Sequence, residues 1–353
     1  MKTRICLLVF IGLLAAGVGF SPVAHARTEA PVADSSVSTA TPPSTSAPGE
    51  ASSTAKATTP EPVYAERGAL TCMKCHDDNY VTKNGGKITD ILKTPHAVKG
   101  DGRTPFGQDN HDCETCHGPS PQHVHSHPAA GEKRESPTVV FSGPNVSPVE
   151  KRNEVCLECH QNGLRMNWQG SQHQSNDIAC VSCHTIHAVK DPILVKLSQP
   201  EKCFTCHAEQ RALSFQFSHH PIREGKVVCS DCHNPHGSPG PTLLKEVRVT
   251  DLCYTCHADK RGPQLWEHQP VREDCTNCHN PHGSVNPRLL KEKVPFLCLD
   301  CHAATNDMGG VGVSTRSVAP HSGALYLYGD RSCLNCHSQI HGSNSPSGST
   351  FFR

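Results

Sequence analysis

Hydrophobic residues are unevenly distributed along the 353-residue chain, and the most apolar run lies at the amino terminus. Residues 5–20 are almost entirely apolar, Lys2 and Arg4 precede them, and Ala-His-Ala follows at 24–26. A basic start, a short apolar run and a small-x-small site are typical of a secretory signal peptide. We therefore predict a signal peptide over residues 1–26. An uncleaved membrane anchor is the alternative, although the run is short for a span of about 20 residues.

After this segment, no apolar stretch approaches the length of a membrane-spanning helix. Residues 27–66 consist largely of Ala, Ser, Thr, Pro and Glu. Such a composition cannot bury enough apolar surface to offset the entropy lost on ordering, so we predict a disordered linker over 27–66. We assign residues 67–353 to a single domain, which holds all of the remaining cysteines and histidines.

The composition of the chain is unusual for a globular protein. Only 35% of its residues are hydrophobic and 5% aromatic, below the average of about 45–50% apolar. In contrast, the chain has 21 cysteines and 25 histidines. Something other than aliphatic side chains must fill the interior. The formal net charge is zero at pH 7, which argues against a nucleic-acid partner.

One motif, Cys-x-x-Cys-His, occurs ten times and contains every cysteine after Cys6. Its cysteine pairs are Cys72 and Cys75, Cys113 and Cys116, Cys156 and Cys159, Cys180 and Cys183, Cys203 and Cys206, Cys229 and Cys232, Cys253 and Cys256, Cys275 and Cys278, Cys298 and Cys301, and Cys333 and Cys336. Its histidines are His76, His117, His160, His184, His207, His233, His257, His279, His302 and His337.

The spacing of this motif suits covalent attachment of haem. The two thiols add across the two vinyl groups of the porphyrin to form thioethers, and the next residue places an imidazole on the iron as proximal ligand. Zinc knuckles and disulfides are the alternatives in a secreted chain. Neither requires histidine at the following position, whereas all ten copies have it. We therefore predict ten covalently bound haems c.

The other histidines reveal a longer repeat, in which motif, histidine, motif, histidine recurs five times. Each such dihaem unit supplies two candidate distal ligands. These are His96, His123, His173, His187, His220, His236, His268, His282, His321 and His341. His125 and His127 compete with His123, and His219 competes with His220. We favour His220 because it directly precedes Pro221 and because its distance from the next cysteine is similar to that in neighbouring units.

The four histidines left over, His111, His125, His127 and His219, are expected in solvent-exposed loops. Four candidate distal ligands lie very close to a motif: His187, His236 and His282 follow its histidine by three residues, and His341 by four. So short a connection cannot pass around the edge of a rigid macrocycle. We therefore expect each of these four to ligate a haem other than the one it follows.

The fold is expected to depend on the cofactors. Between Cys156 and Cys298 successive motifs begin only 22 to 26 residues apart, which leaves no room for separate cores. We predict a multihaem cytochrome c of five tandem dihaem units, with loops and short α-helices around an elongated string of haems and little or no β-sheet. Without haem, the chain should be largely unfolded.

Iron with two imidazole ligands has no open position for a substrate and lacks the methionine that raises reduction potential, so we predict electron transfer at low potential and no enzymatic activity. A multihaem reductase, for example of nitrite or sulfite, is the competing class. Such enzymes need one haem with a free distal site, and some bind it through Cys-x-x-Cys-Lys. That motif does not occur in the sequence.

The carboxy-terminal region resembles one family in several motifs. These are the order of the units, Asn-Pro-His-Gly-Ser at 234–238 and 280–284, Leu-Trp-Glu-His at 265–268, and Arg-Ser-Cys-Leu-Asn-Cys-His at 331–337 followed by His-Gly-Ser at 341–343. From about residue 68 onward the sequence is similar to the MtrA/DmsE/PioA decahaem cytochromes.

The resemblance implies a role that composition does not show. Members of this family conduct electrons between the periplasm and the cell surface and insert into an outer-membrane β-barrel protein. Their implied partners are an extracellular multihaem cytochrome or terminal reductase on one side, and a periplasmic or inner-membrane cytochrome donor on the other. Metal reduction and iron oxidation both occur in the family. A freely soluble periplasmic electron carrier or reservoir remains the alternative.

Overall fold

The computed structural model describes residues 61–81, 86–107, 109–302, 333–335, 337–346, 348 and 351. The predicted signal peptide, most of the predicted linker, and the predicted ligands Cys336 and His321 lie outside these residues. Within them the chain forms short helices joined by loops, and its β-pairing is limited to isolated bridges. The prediction of short helices with little β-sheet is therefore confirmed.

The helices are short throughout the described part of the chain. The α-helices are α1 Ala69–Cys72, α2 Glu114–His117, α3 Pro121–His125, α4 Val149–Leu157, α5 Gln172–Ser175, α6 Cys180–Cys183, α7 Gln199–Phe204, α8 Ala208–Ser214, α9 Cys229–Cys232, α10 Val249–Tyr254, α11 Gln269–Glu273 and α12 Phe296–His302. The 3-10 segments are Ile88–Lys93, Pro95–Ala97, Pro105–Gly107, Gly163–Arg165, Pro192–Leu194, Pro241–Leu243, Ala258–Lys260, Cys275–Asn277, Pro287–Leu289 and Cys333–Asn335. None of the helices in the described segments has the length and apolarity to cross a membrane.

Each motif forms about one turn of helix. In the motif 156–160, for example, the amide of His160 donates to the carbonyl of Cys156 at 2.9 Å, and the same bond recurs in the other motifs. One turn brings the histidine to the same side of the backbone as the first cysteine. The position of the motif within its helix alternates along the chain. The first cysteine lies near the end of α4, α7 and α10, whereas it begins α6 and α9. This alternation has the period of the predicted dihaem unit.

The protein side chains alone make a very small core. The buried hydrophobic residues among those described are Ala69, Phe106, Val139, Trp168, Ala179, Phe204, Val228 and Leu252. Helices of four to nine residues are not stable in water by themselves and need tertiary packing. So few buried apolar residues cannot provide that packing, which leaves the interior to the cofactor.

Segments far apart in sequence are joined at the turns that follow alternate motifs. Ser284 forms an antiparallel bridge with Ser218, and Ser343 forms one with Trp266. At the equivalent turn after His233, Gly237 has φ of +109°, and a Cβ at this position would overlap the carbonyl oxygen of Asn167. Close backbone approach therefore locks each of these turns onto a segment from an earlier unit.

The amino-terminal end of the described chain is held by buried carboxylates. The amide of Ala65 donates to Glu114 at 2.8 Å, and the amide of Ala69 donates to Asp112 at 2.8 Å. Both acidic residues are about 5% exposed or less. The ring of Tyr64 stacks on His111 with 3.6 Å between ring centres. Packing against the first unit thus begins at about residue 64, while the boundary at 66/67 remains a prediction.

Candidate functional site

Histidines face one another in pairs along the molecule, and in every pair one member belongs to a motif. The pairs, with the distance between ring centres, are His76–His123 6.1 Å, His117–His187 6.4 Å, His160–His96 6.0 Å, His184–His236 6.0 Å, His207–His173 6.2 Å, His233–His282 6.1 Å, His257–His220 6.2 Å, His279–His341 6.2 Å and His302–His268 6.2 Å. His321, the predicted partner of His337, lies outside the described residues.

The distance within these pairs suits an iron atom between two imidazoles. Two metal–nitrogen bonds of about 2 Å, plus roughly 1 Å from each nitrogen to the centre of its ring, give about 6 Å between ring centres. Direct stacking of the rings would bring them closer, as it does for Tyr64 and His111. The paired histidines therefore fit the axial positions of haem.

Seven of the eighteen paired rings are fixed by a hydrogen bond from Nδ1–H to a backbone carbonyl. The acceptors are Val139 for His117, Glu135 for His123, Pro235 for His173, Ile88 for His187, Pro281 for His220, Thr242 for His233 and Arg288 for His279, at 2.6–3.0 Å. A neutral ring that donates through Nδ1 has its lone pair on Nε2, which is then free to bind a metal.

His184 is oriented differently, because its Nδ1 donates to the carboxylate of Asp191 at 2.7 Å. The sequence analysis missed this acidic residue. The sequence could have indicated it, because Asp191 lies seven residues after its motif histidine, where the two equivalent loops have the neutral residues Gly240 and Asn286.

Burial favours the neutral form of many of these rings. It lowers the pKa of His236 to about 4, with smaller contributions from His184 and Arg165. Burial also lowers the pKa of His96, His117 and His282. A neutral imidazole near pH 7 is the form that binds a metal.

The first cysteines of the two motifs in a unit lie against each other. Side-chain hydrogen bonds link Cys72 to Cys113, Cys156 to Cys180, Cys203 to Cys229, Cys253 to Cys275, and Cys298 to Cys333. In three of these pairs the bond lowers the pKa of one thiol, that of Cys180, Cys229 or Cys275, to about 7. The two motifs of a unit are thus adjacent in space as well as in sequence.

The second cysteines approach each other between units. Burial, and then the nearby sulfur of Cys159, raises the pKa of Cys116 to about 11. The same kind of approach joins Cys183 to Cys206, Cys232 to Cys256, and Cys278 to Cys301. First cysteines within units and second cysteines between units form an alternating series. The motifs therefore follow one another in space in the order of the sequence.

The histidine pairs connect different units by a regular rule. His187, His236, His282 and His341 each face the motif histidine located two motifs before the one they follow. His96, His173, His220 and His268 each face the histidine of the second motif ahead. Each histidine of both groups thus reaches across into a neighbouring unit.

The structure separates the competing histidines. His123 faces His76, whereas His125 and His127 are exposed. His220 faces His257, whereas His219 interacts with the carbonyl of Gln216 at 2.7 Å and with Glu224. Of the four leftover histidines, His111 and His219 are half-buried rather than exposed, because each has a specific local partner.

Comparison with known proteins agrees with these observations. The model of the doubled CXXCH motif matches residues 219–262 and 268–307, and that of the cytochrome c-type protein NrfB-like family matches residues 121–199. The chain is 28% identical over 151 residues to the cytochrome c-type protein NrfB of Haemophilus influenzae, covering 40% of this chain and 65% of that protein.

A much longer match is with the multiheme cytochrome MtrA of Shewanella baltica. The two proteins are 42% identical over 285 residues, which is 81% of each chain. Together with the repeated attachment motifs and the facing histidines, this match shows that the chain belongs to the MtrA family of multihaem c-type cytochromes, which transfer electrons and bind haem covalently.

Proposed function

We propose that the chain binds ten haems c, each through the two cysteines of one motif, its histidine and one further histidine. The nine facing pairs give the assignment for nine motifs. His321 is left for His337. Haem iron with two imidazole ligands supplies one-electron chemistry. The cysteines would fix each macrocycle, and backbone carbonyls hold seven of the ligating rings in one orientation.

We further propose that the protein is an electron conduit between the periplasm and the cell surface, within an outer-membrane barrel partner. The observation that carries this proposal is the series of neighbouring cysteines, joined by hydrogen bonds within units and by electrostatic interactions between units, which follows the order of the motifs in the sequence. Such an order gives the protein two distinct ends, one formed by the first motif and the other by the last. A conduit needs a donor at one end and an acceptor at the other.

A catalytic role is the less favoured function. Each motif histidine from His76 to His302 faces a second histidine, so none of these nine positions offers iron an open coordination site. Low-temperature electron paramagnetic resonance tests this directly. We expect low-spin ferric signals only, and a substantial high-spin signal would favour a reductase.

Purification from outer membranes tests the conduit. We expect the chain to co-purify with a barrel protein after mild detergent extraction, together with an exposed cytochrome or reductase on the outer side. Recovery of the protein alone in the periplasmic fraction would favour the second candidate, a soluble periplasmic carrier, which uses the same haem-binding residues.

A further inference from the structure

Three loops of the chain share one pattern, a second histidine three residues after the motif histidine, a proline after eight, a leucine after ten and a lysine after twelve, and they differ at one informative position. They are residues 184–196, 233–245 and 279–291, and each begins at a motif histidine and continues through a proline eight residues later. The residue before that proline is Asp191 in the first loop, Gly240 in the second and Asn286 in the third. The loops thus provide an internal comparison of one equivalent position with and without an acidic residue.

In the second and third loops the motif histidine is held by a neutral backbone group. His233 donates through Nδ1 to the carbonyl of Thr242 at 2.9 Å, and His279 donates to the carbonyl of Arg288 at 2.8 Å. Both carbonyls belong to left-handed residues, with φ of +49° and +61°. The backbone of these two loops therefore adopts an unfavourable conformation that aims a carbonyl at the ring.

The first loop replaces that carbonyl with a charged group. Oδ2 of Asp191 accepts from Nδ1 of His184 at 2.7 Å, while Oδ1 accepts from the amides of Thr185 at 3.1 Å and Ile193 at 3.4 Å. The side chain of Asp191 is only 13% exposed and that of His184 is 27% exposed. A carboxylate held by three hydrogen bonds and screened from water is fixed against one ring.

We propose that Asp191 is a positioning residue that sets the reduction potential at the motif 180–184 below that of its two sibling motifs, 229–233 and 275–279. A carboxylate that accepts the Nδ1 proton makes the imidazole a stronger electron donor, and its negative charge favours the more positive, ferric state of the metal. A neutral carbonyl has a weaker effect on the imidazole. Sites with the same iron ligands should therefore differ in reduction potential because the Nδ1–H of the histidine donates to different acceptors. The proposal rests on the assignment of His184 as an iron ligand.

Substitution of Asp191 in the full holoprotein tests the proposal. In Asp191→Asn, one haem's share of the absorbance change in a redox titration should move to higher potential. We expect about a tenfold increase in its ferrous-to-ferric ratio at fixed potential, which is ~59 mV for one electron. Asp191→Glu keeps the charge and should restore most of the original potential. Asp177→Asn is the matched control, because Asp177 is an exposed carboxylate three residues before Cys180 and should leave the titration unchanged.

Haem content and spin state separate this inference from the proposed function. Asp191→Asn with a full set of low-spin haems but an unshifted titration would overturn the tuning role and leave the ligand assignment intact. Wild-type protein with too few haems or with high-spin iron would overturn the assignment itself. If Asp191→Asn and Asp191→Gly both lose a haem, the carboxylate serves only to build the loop, and the tuning role is wrong.

Discussion

The middle of the described chain and its amino-terminal end differ in where the histidine that follows a second motif finds its partner. In the middle, the histidine that follows a second motif faces back into the preceding unit, as His236 does with His184. No Cys-x-x-Cys-His motif lies within residues 1–71, and His123 faces His76 within its own unit. The end is held by buried Asp112 and Glu114, whereas the middle is held by turns docked onto earlier units.

This difference is the one expected of a repeat protein. An internal repeat can leave a face open because its neighbour covers it, whereas a terminal repeat must be completed by residues of its own. The acidic residues Asp112 and Glu114 of the first unit bind the backbone amides of Ala69 and Ala65, which lie just before its first motif. The facing histidines join the first unit to the second through His96–His160 and His117–His187, and among the described pairs only His76–His123 lies within one unit.

Removal of the haems should unfold both the amino-terminal end and the middle of the chain, so the difference between the two regions should disappear. This is the largest effect that we expect. Because the described protein side chains bury few apolar residues, chain produced without haem attachment should lose most of its helical circular dichroism and be cleaved rapidly by protease from residue 61 onward. Holoprotein from the same host is the control. A protease-resistant apoprotein with native helicity would contradict this expectation.

Loss of one distal histidine should affect the stability of the protein differently in the two regions. His236→Ala and His123→Ala should each produce one high-spin haem, but His236→Ala should lower thermal stability more, by roughly 3 kcal/mol, because His236 joins two units. His123 joins motifs that the contact between Cys72 and Cys113 already connects. Electron paramagnetic resonance and thermal denaturation measure the two effects.

His125→Ala is the control for these two variants, because His125 is exposed and should leave both the spin state and the melting temperature unchanged. Equal destabilisation by His236→Ala and His123→Ala would show that the connection between units contributes nothing beyond the local ligand.

The docked turns should be sensitive to a single methyl group. Gly237→Ala places a Cβ against the carbonyl oxygen of Asn167 at a position with φ of +109°, and it should destabilise the protein by about 2 kcal/mol. Gly102→Ala is the matched control, because a Cβ there meets nothing within 4 Å. A melting temperature as high for the first variant as for the second would mean that the turn can move away without cost.

The smallest effect should differ in sign between two copies of one loop. Arg288 is left-handed, so Arg288→Gly should stabilise the protein by about 0.5 kcal/mol. Ile193 occupies the same position in the loop that contains Asp191 and is not left-handed, so Ile193→Gly should destabilise by about 1 kcal/mol. Differential scanning calorimetry of the holoproteins measures both, and shifts of the same sign would contradict the different backbone conformations.

The chemistry of the site could be read from the sequence because it depends on local spacing. Two cysteines and a histidine within five residues form about one helical turn wherever they occur, so the attachment motifs need no knowledge of the fold. The short distance from His184 to His187 likewise predicted that these residues serve different haems, and the structure places His187 opposite His117. The near absence of β-sheet followed from the short distances between motifs.

The outer hydrogen bonds of the ligands could not be read in this way. Ile88 accepts from His187 across 99 residues, and Pro235 accepts from His173 across 62. A backbone carbonyl leaves no trace in the identity of its residue, so no sequence pattern marks it as a partner. Asp191 is the exception, because a carboxylate at a repeated position is visible as a departure from Gly240 and Asn286.

The sequence by itself determined which residues can attach and ligate haem, since thioether formation and the reach of an imidazole depend on spacing along a few residues. Only the tertiary structure decided which histidine faces which motif. Several partners were sterically possible for each ring, and the choice among them depends on how the turns of one unit dock onto the backbone of another. That docking is a property of the whole set of units, so it is not encoded in any single one.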